Sequence, residues 1–259
     1  MPKIVFFDID NTLTDGKTHA LVPSAITALN KLQEAGIMVV AATNRILCEM
    51  TLFDGLFVFD ATITANGARI FIGDELLSTR SFTKAEVEHI IAFCKSTPGT
   101  NMVYCADDDY IYVDQPANIR LYPWFYEEYI PYKVREMKAD DYIFQALIDS
   151  PRRADDDFLE KMKASSVKYQ FYSYMSIYPQ KTNKGVGCKI LLDHLEVEPT
   201  ECACVGDSLN DMEMFELIEE SYCVGNGREE LKKIAKEVIG NAEDDAVYRL
   251  CVAKGWIKE

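Results

Sequence analysis

Basic residues are in deficit: 27 Lys and Arg stand against 42 Asp and Glu, a formal net charge of −15 over 259 residues, and no local basic patch offsets it. Such a charge repels nucleic-acid phosphates and anionic lipid surfaces, which removes both from the favoured partners. Long apolar runs are missing as well. The run that follows Met1-Pro2-Lys3, Ile4-Val5-Phe6-Phe7, is too short for a signal peptide or a membrane span, so a cytoplasmic protein is expected. The eight cysteines contain no C-x-x-C pair. Cys202 and Cys204 share one face of an expected strand, but no histidine lies near them in sequence to complete a zinc site, and they read as core thiols. Internal repeats and low-complexity linkers are also absent. What is present is 48% hydrophobic and 27% charged residues, the balance of a globular protein, in a length that holds a large core and admits two domains.

The first part of the chain alternates apolar runs with amphipathic ones, the mark of βαβ units and a parallel sheet. Lys3–Ile9 reads as a buried strand. Pro23–Ala35 reads as a helix with Ile26, Leu29 and Leu32 on one face and Gly36 as its C-terminal cap. Ile37–Ala42 is a second buried strand ending at the polar Thr43-Asn44-Arg45, where a ligand site is expected, since open parallel sheets bind at the carboxyl ends of their strands. Phe57–Leu77 reads as short strands turned at Asn66-Gly67 and Gly73-Asp74, and Thr83-Lys84-Ala85-Glu86 is a capping box before a helix ending near Lys95.

From about Ser81 to Gln180 strand-like runs (Asn101–Cys105, Tyr110–Asp114, Lys168–Ile177) lie among helical ones without steady alternation, as in an inserted α+β domain. Every tyrosine except Tyr222 and Tyr248 falls there, with Trp124, which reads as a small aromatic-rich core. Asp107-Asp108-Asp109 reads as a solvated hairpin turn. The alternation then resumes: helix Lys184–Leu195, strand Cys202–Val205, helix Leu209–Ile218, strand Ser221–Val224, helix Glu229–Val238.

Chemistry concentrates at Asp8-Ile9-Asp10-Asn11-Thr12, directly after the first buried strand. Strand alternation puts Asp8 and Asp10 on one side, two carboxylates within reach of one cation and one substrate, and such a pair can divide the roles of nucleophile and general acid. Gly206-Asp207-Ser208-Leu209-Asn210-Asp211 follows another buried strand and opens another helix, placing more carboxylates beside free N–H groups. A hard cation such as Mg²⁺ needs only a few such oxygens and keeps several waters. Thr43, the N–H of Asn44, and Lys184 at the head of a helix supply a hydroxyl, an amide and an ammonium, the groups that stabilise charge on a transferring phosphoryl group.

Taken in order, these elements resemble the haloacid dehalogenase-like superfamily: Asp8-Ile9-Asp10-Asn11-Thr12 matches its D-x-D-x-T motif, Thr43 the second motif, Lys184 the third, and Gly206-Asp207 through Asp211 the fourth. Asn66-Gly67-Ala68 and Gly225-Asn226-Gly227 before a Lys-rich helix are similar to the Cof-type sugar-phosphate phosphatases. The resemblance implies an α/β fold, a Rossmann-like parallel-sheet core over residues 1–80 and 181–259 with an inserted α+β cap over 81–180 that closes on the core and sets substrate choice. It implies that Asp8 is the nucleophile and Asp10 the acid and base. Mg²⁺ is then held by Asp8, the backbone carbonyl of Asp10, Asp207 and Asp211, and phosphate is bound by Thr43, Asn44, Lys184 and Asn210. The family usually writes T-G-R at the second motif, so Asn44 keeps the N–H and adds a side chain to the pocket, and the last residue of Gly225-Asn226-Gly227 is usually Ala.

The expected function is hydrolysis of a small phosphomonoester, with neither nucleic acid nor membrane as partner and a monomer or homodimer as the assembly. A phosphomannomutase-like phosphotransferase is the alternative within the superfamily, and a catalytically silent phosphate-binding or regulatory protein the alternative outside catalysis. A receiver domain, which also phosphorylates an Asp on a parallel sheet, is about half this length and lacks the insert.

Overall fold

The computed structural model describes residues 1–106, 110–115, 132–150, 158, 166–169 and 174–259. The Asp107-Asp108-Asp109 run and Trp124 lie outside them. In chain order the elements are β1 (Ile4–Phe7), α1 (Pro23–Glu34), β2 (Met38–Ala42), β3 (Ala61–Thr64), β4 (Arg69–Ile72), β5 (Glu75–Thr79), α2 (Lys84–Ser96) and β6 (Asn101–Ala106). There follow β7 (Ile111–Val113), β8 (Tyr132–Val134), β9 (Ile143–Asp149), β10 (Ser166–Tyr169), β11 (Tyr174–Tyr178) and α3 (Lys184–Leu195). The chain closes with β12 (Cys202–Gly206), α4 (Met212–Leu217), β13 (Glu220–Cys223), α5 (Glu229–Ile234), β14 (Glu237–Val238) and α6 (Ala246–Ala253). They divide into two compact units, one of Met1–Arg45, Met50–Ser78 and Asn183–Glu259, the other of Ile46–Glu49 and Thr79–Thr182.

The first unit is an α/β layer structure on an eight-stranded sheet in the order β14-β13-β12-β1-β2-β3-β4-β5. From β14 to β3 the neighbours are parallel, and β4 turns antiparallel to β3. β1 is central: Ile4 is level with Cys202 on one side and Met38 on the other. A strand paired on both edges and covered on both faces must be apolar throughout, and all four residues of Ile-Val-Phe-Phe are buried. Val5 and Phe7 pack on one face with Leu29, Leu32, Val205, Leu250 and Trp256. Ile4 and Phe6 pack on the other with Cys188, Leu191, Met214 and Phe215. Helix α1 starts on Pro23, buries Ala25, Ala28, Leu29 and Leu32, and closes with Gly36 N–H donating to the Gln33 carbonyl and Ile37 N–H to that of Leu32. Gly36 takes the left-handed φ of +78° that this helix ending requires.

Two readings at the C-terminal side need correction. The helix expected over Glu229–Val238 stops at Ile234, and Glu237–Val238 instead forms β14 on the edge of β13. The Glu- and Lys-rich first turns favour a helix, whereas Val238 and Ile239 are β-branched and find an open strand edge, where Ile239 N–H reaches the Cys223 carbonyl at 2.9 Å. The helix expected over Leu209–Ile218 begins as a tight single turn over Leu209–Asp211 and becomes α-helical only at Met212.

The second unit carries a six-stranded sheet in the order β10-β11-β9-β6-β7-β8, antiparallel except for β7 with β8. The run read as one strand over Lys168–Ile177 is two antiparallel strands, with Tyr169 opposite Met175. Helix α2 begins with the capping box: Thr83 Oγ1 accepts from Glu86 N–H, and Glu86 Oε2 accepts from Thr83 N–H at 2.7 Å. It buries Val87, Ile90 and Phe93 against Met102, Tyr104, Tyr112, Ile148 and Phe158. Tyr104 and Tyr112 stack with centroids 5.2 Å apart and Tyr178 is buried, while Tyr110, Tyr132 and Tyr142 are exposed. All eight cysteines are free thiols, and burial pushes Cys94 up to about 12. Among the described residues no helix is long and apolar enough to cross a membrane.

Candidate active site

The site forms at the carboxyl ends of β1, β2 and β12, three adjacent parallel strands. The backbone ladder of β1 runs one residue past its end, with Asp8 N–H donating to the Val205 carbonyl at 2.9 Å, which seats the Asp8 carboxylate beside the end of β12. The chain then turns tightly: the N–H groups of Thr12, Leu13 and Thr14 all point at the Ile9 carbonyl. This turn brings the Thr12 hydroxyl back to Asp8 Oδ2 at 3.3 Å.

Asp207 and Asp211 come from the loop after β12. Asp211 Oδ2 accepts from the N–H groups of Asp207 and Ser208, each at 3.0 Å, so it caps its own turn and is fully buried. Gly206 leaves room for it: a Cβ there would stand 2.6 Å from Asp211 Oδ2. Lys184 is the first residue of α3, whose N-cap Asn183 accepts from Val186 N–H at 2.7 Å. Its buried ammonium donates to Asp8 Oδ1 at 2.5 Å and to Asp211 Oδ1 at 2.6 Å. Carboxylate oxygens of Asp8, Asp207 and Asp211 all lie within 4.8 Å of one another.

Three buried carboxylates thus face one ammonium. Burial pushes Asp8 up to about 7, against the pull of Lys184 and with the repulsion of Asp211 and Asp10 added. Asp207 is raised well above its ordinary value, first by burial and then by Asp8 and Asp211. Burial works against the charged form of Lys184, but Asp211 and Asp8 outweigh it and its pKa rises. The excess of negative charge is what a hard divalent cation would neutralise, and oxygen donors are its preferred ligands, so the donor set fits such an ion.

Asp10 is held separately. The guanidinium of Arg45 grips it, Nε at 3.3 and 3.2 Å from its two oxygens and Nη2 at 3.0 Å from Oδ1. The Arg45 side chain is 1% exposed and that of Asp10 19%. Thr43, buried on the loop after β2, accepts from Arg45 N–H at 3.1 Å through its hydroxyl, and Asn44 beside it is half-buried. That loop is sewn to the turn after β3 by Asn66 N–H on the Thr43 carbonyl and Ala65 N–H on the Arg45 carbonyl. Asn210 lies on the Asp207–Asp211 loop, where its side chain accepts from the Ser208 hydroxyl at 2.5 Å rather than joining the carboxylates. The Gly225-Asn226-Gly227 turn closes the same edge: Asn226 donates to the Asn11 carbonyl at 2.8 Å and accepts from Ala242 N–H at 2.9 Å.

The structure therefore brings Asp8, Lys184, Asp207 and Asp211 into one cluster, with Thr43, Asn44, Asp10 and Asn210 on its bordering loops. Sequence reasoning gave no role to Thr12 or Arg45. Both stood inside quoted motifs, and the signal for Arg45 was a cation three residues beyond the end of a buried strand, where a paired acid could be expected.

A family description of haloacid dehalogenase-like hydrolase matches residues 5–250. The chain belongs to the haloacid dehalogenase-like hydrolases. Curated relatives named HMP-PP phosphatase include one from Klebsiella pneumoniae (strain 342), 26% identical over 255 residues, 95% of this chain and 93% of that protein. Another, from Citrobacter koseri, is 26% identical over 257 residues with the same shares covered. Among solved structures, a subclass IIB sugar phosphatase superposes with a TM-score of 0.84 at 23% identity, covering 98% of this chain and all of that one. A phosphatase of the superfamily from Bacteroides thetaiotaomicron has a TM-score of 0.85 at 20% identity, covering 99% of this chain and 96% of the other. These two likenesses establish that this haloacid dehalogenase-like hydrolase has the superfamily fold.

Proposed function

We propose that the protein is a Mg²⁺-dependent phosphatase that hydrolyses a small phosphomonoester through an aspartyl-phosphate on Asp8. The observation that carries this reading is the convergence of Asp8, Asp207 and Asp211 on one another with the Lys184 ammonium between Asp8 and Asp211. A carboxylate can attack a phosphoryl group only if the repulsion between the two anions is offset, and a buried fixed cation beside the nucleophile does this.

In the first step an oxygen of Asp8 forms a bond to phosphorus while the bond to the leaving oxygen breaks. The leaving oxygen keeps that electron pair and takes a proton from Asp10. In the second step water forms a bond to phosphorus, its proton passes to Asp10, and the Asp8–phosphorus bond breaks to release phosphate. Thr43, the N–H of Asn44, Lys184 and Asn210 hold the phosphoryl oxygens. Asp8, the backbone carbonyl of Asp10, Asp207 and Asp211 would hold Mg²⁺, which supplies charge neutralisation as the phosphoryl group moves. Substrate choice is assigned to the inserted segment 81–180. The names of the curated relatives support placing HMP-PP beside sugar phosphates among the compounds to try.

The test is phosphate release from p-nitrophenyl phosphate and a panel of sugar phosphates and HMP-PP, with and without Mg²⁺, by the native chain and Asp8→Asn. Release that needs Mg²⁺ and disappears in Asp8→Asn is expected. Equal release by native protein and variant, or none from either, rejects the aspartyl-phosphate reading.

A further inference from the structure

We propose that Arg45 is a positioning residue for proton transfer, fixing the Asp10 carboxylate in one orientation and leaving Oδ2 as the atom that gives and takes the proton. The inference rests on the reading of Asp10 as acid and base given above.

Asp10 needs such a device because its side chain is partly open to solvent, with two free torsions after a tight turn. Arg45 can supply it because Arg45 is itself buried and tied down at its backbone. Its side chain is 1% exposed, its N–H is bonded to the Thr43 hydroxyl, and its carbonyl accepts from Ala65. A guanidinium is a rigid planar fork, so engaging both carboxylate oxygens fixes the plane of the acid as well as its position, which an ammonium cannot do. The engagement is unequal. Oδ1 receives both Nε at 3.3 Å and Nη2 at 3.0 Å, whereas Oδ2 receives Nε alone at 3.2 Å. A buried ion pair is weak evidence for stabilisation as such, since the desolvation of the guanidinium offsets the attraction. Orientation of a reacting group is a role that does not depend on net stabilisation.

In the first step the proton on Oδ2 passes to the leaving oxygen as its bond to phosphorus breaks. In the second, the same atom takes the proton from water. A p-nitrophenolate leaves without needing a proton, whereas a sugar alkoxide does not, and this difference separates positioning of the acid from general damage to the site.

The experiment measures first-turnover release of the leaving group from p-nitrophenyl phosphate and from the preferred sugar phosphate of the panel. It uses native protein, Arg45→Met, Arg45→Lys, Asp10→Asn and Arg45→Met/Asp10→Asn, all with Mg²⁺. Arg45→Met is expected to slow sugar release by about 100-fold and nitrophenolate release by no more than a few-fold, within the range of general acid catalysis. Arg45→Lys is expected to show the same selectivity with a smaller loss, which keeps the test open if Arg45→Met does not fold. In the Asp10→Asn background Arg45→Met is expected to add little, since the two act as one unit. Equal slowing on both leaving groups, or full additivity with Asp10→Asn, overturns the inference while leaving the phosphatase reading intact. Absence of Asp8-dependent release by the native protein overturns both.

Discussion

Replacing Lys184 by Met tests the electrostatic core of the site most directly. The ammonium is fully buried and donates to Asp8 and Asp211, with Asp207 in the same cluster. Met keeps the length and apolar stem but leaves three buried carboxylates with no cation. Breaking a buried pair by removing one partner costs about 3–5 kcal/mol. For a protein of this size that is a fall in Tm of about 6–20 °C. The pH dependence has a definite sign. Asp8 already titrates near 7 in the folded protein against 3.8 for an ordinary aspartate. Between those values the folded chain holds a proton that the unfolded chain has released, so its contribution is present at low pH and is lost as pH rises through about 7. Removing Lys184 raises the cluster further, so the variant should lose more at about pH 8 than at about pH 5, where protons can take the place of the ammonium. Adding Mg²⁺ should raise Tm more in the variant than in the native chain, because the excess negative charge is larger. Scanning calorimetry at the two pH values, with EDTA or with Mg²⁺, reads all of this. A variant whose Tm lies within about 4 °C of native at the higher pH, about 1 kcal/mol, would refute the claim that Lys184 offsets the cluster.

In the native chain the same linkage predicts that metal-free stability falls as pH rises from about 4 to about 7, and that the gain in Tm on adding Mg²⁺ grows over that interval. A gain independent of pH would mean that Mg²⁺ binds away from Asp8. Gly206→Ala places a Cβ 2.6 Å from Asp211 Oδ2, so it should cost about 1–3 kcal/mol and weaken Mg²⁺ binding in titration calorimetry. Unchanged binding would show that the Asp211 carboxylate can move without consequence. Thr83→Ala removes the capping hydroxyl of α2 and should cost about 1 kcal/mol, seen as faster hydrogen exchange of the Glu86 amide. Unaltered exchange there would argue that packing of Val87 and Ile90, not the cap, holds the first turn.

The central part of the fold was legible because its physics is local. β1, β2 and β12 are buried on both faces and must be apolar without interruption, and α1, α2 and α3 carry their own start signals, Pro23 at the first helical position and the N-caps Thr83 and Asn183. What could not be read depends on partners distant in sequence. Glu237–Val238 is a strand only because β13 offers an unpaired edge, and nothing in two residues announces that edge. The division of Lys168–Ile177 into two strands is a matter of register, with Val167 against Ile177 and Tyr169 against Met175, which a one-dimensional apolar pattern does not fix. Asp8, Lys184, Asp207 and Asp211, which the structure brings together, could be singled out in the sequence because each stands where a parallel-sheet fold puts its ligand-binding edge. The grip of Arg45 on Asp10 was not, because a carboxylate and a guanidinium 35 residues apart give no sign of pairing until the loops after β1 and β2 are laid side by side.

That pairing bears on how two aspartates separated by one residue can come to differ. Asp8 and Asp10 leave the same strand end, and in an extended chain they would share one environment. The fold gives each its own cation from a different part of the chain. Asp8 receives Lys184, 176 residues away, in a buried cluster with two more carboxylates. Asp10 receives Arg45 on the opposite loop, with part of its surface open. The two cations also differ in kind: an ammonium is a point charge that two acids can share, and a guanidinium is a fork that orients one. Burial with a shared ammonium suits a group that must meet a phosphoryl anion, and a fixed, partly open carboxylate suits one that must meet both a leaving oxygen and a water. The asymmetry that the proposed division into nucleophile and proton carrier requires is thus available from the partners of the two acids, and exchanging Arg45 for Lys is expected to erode it without touching either aspartate.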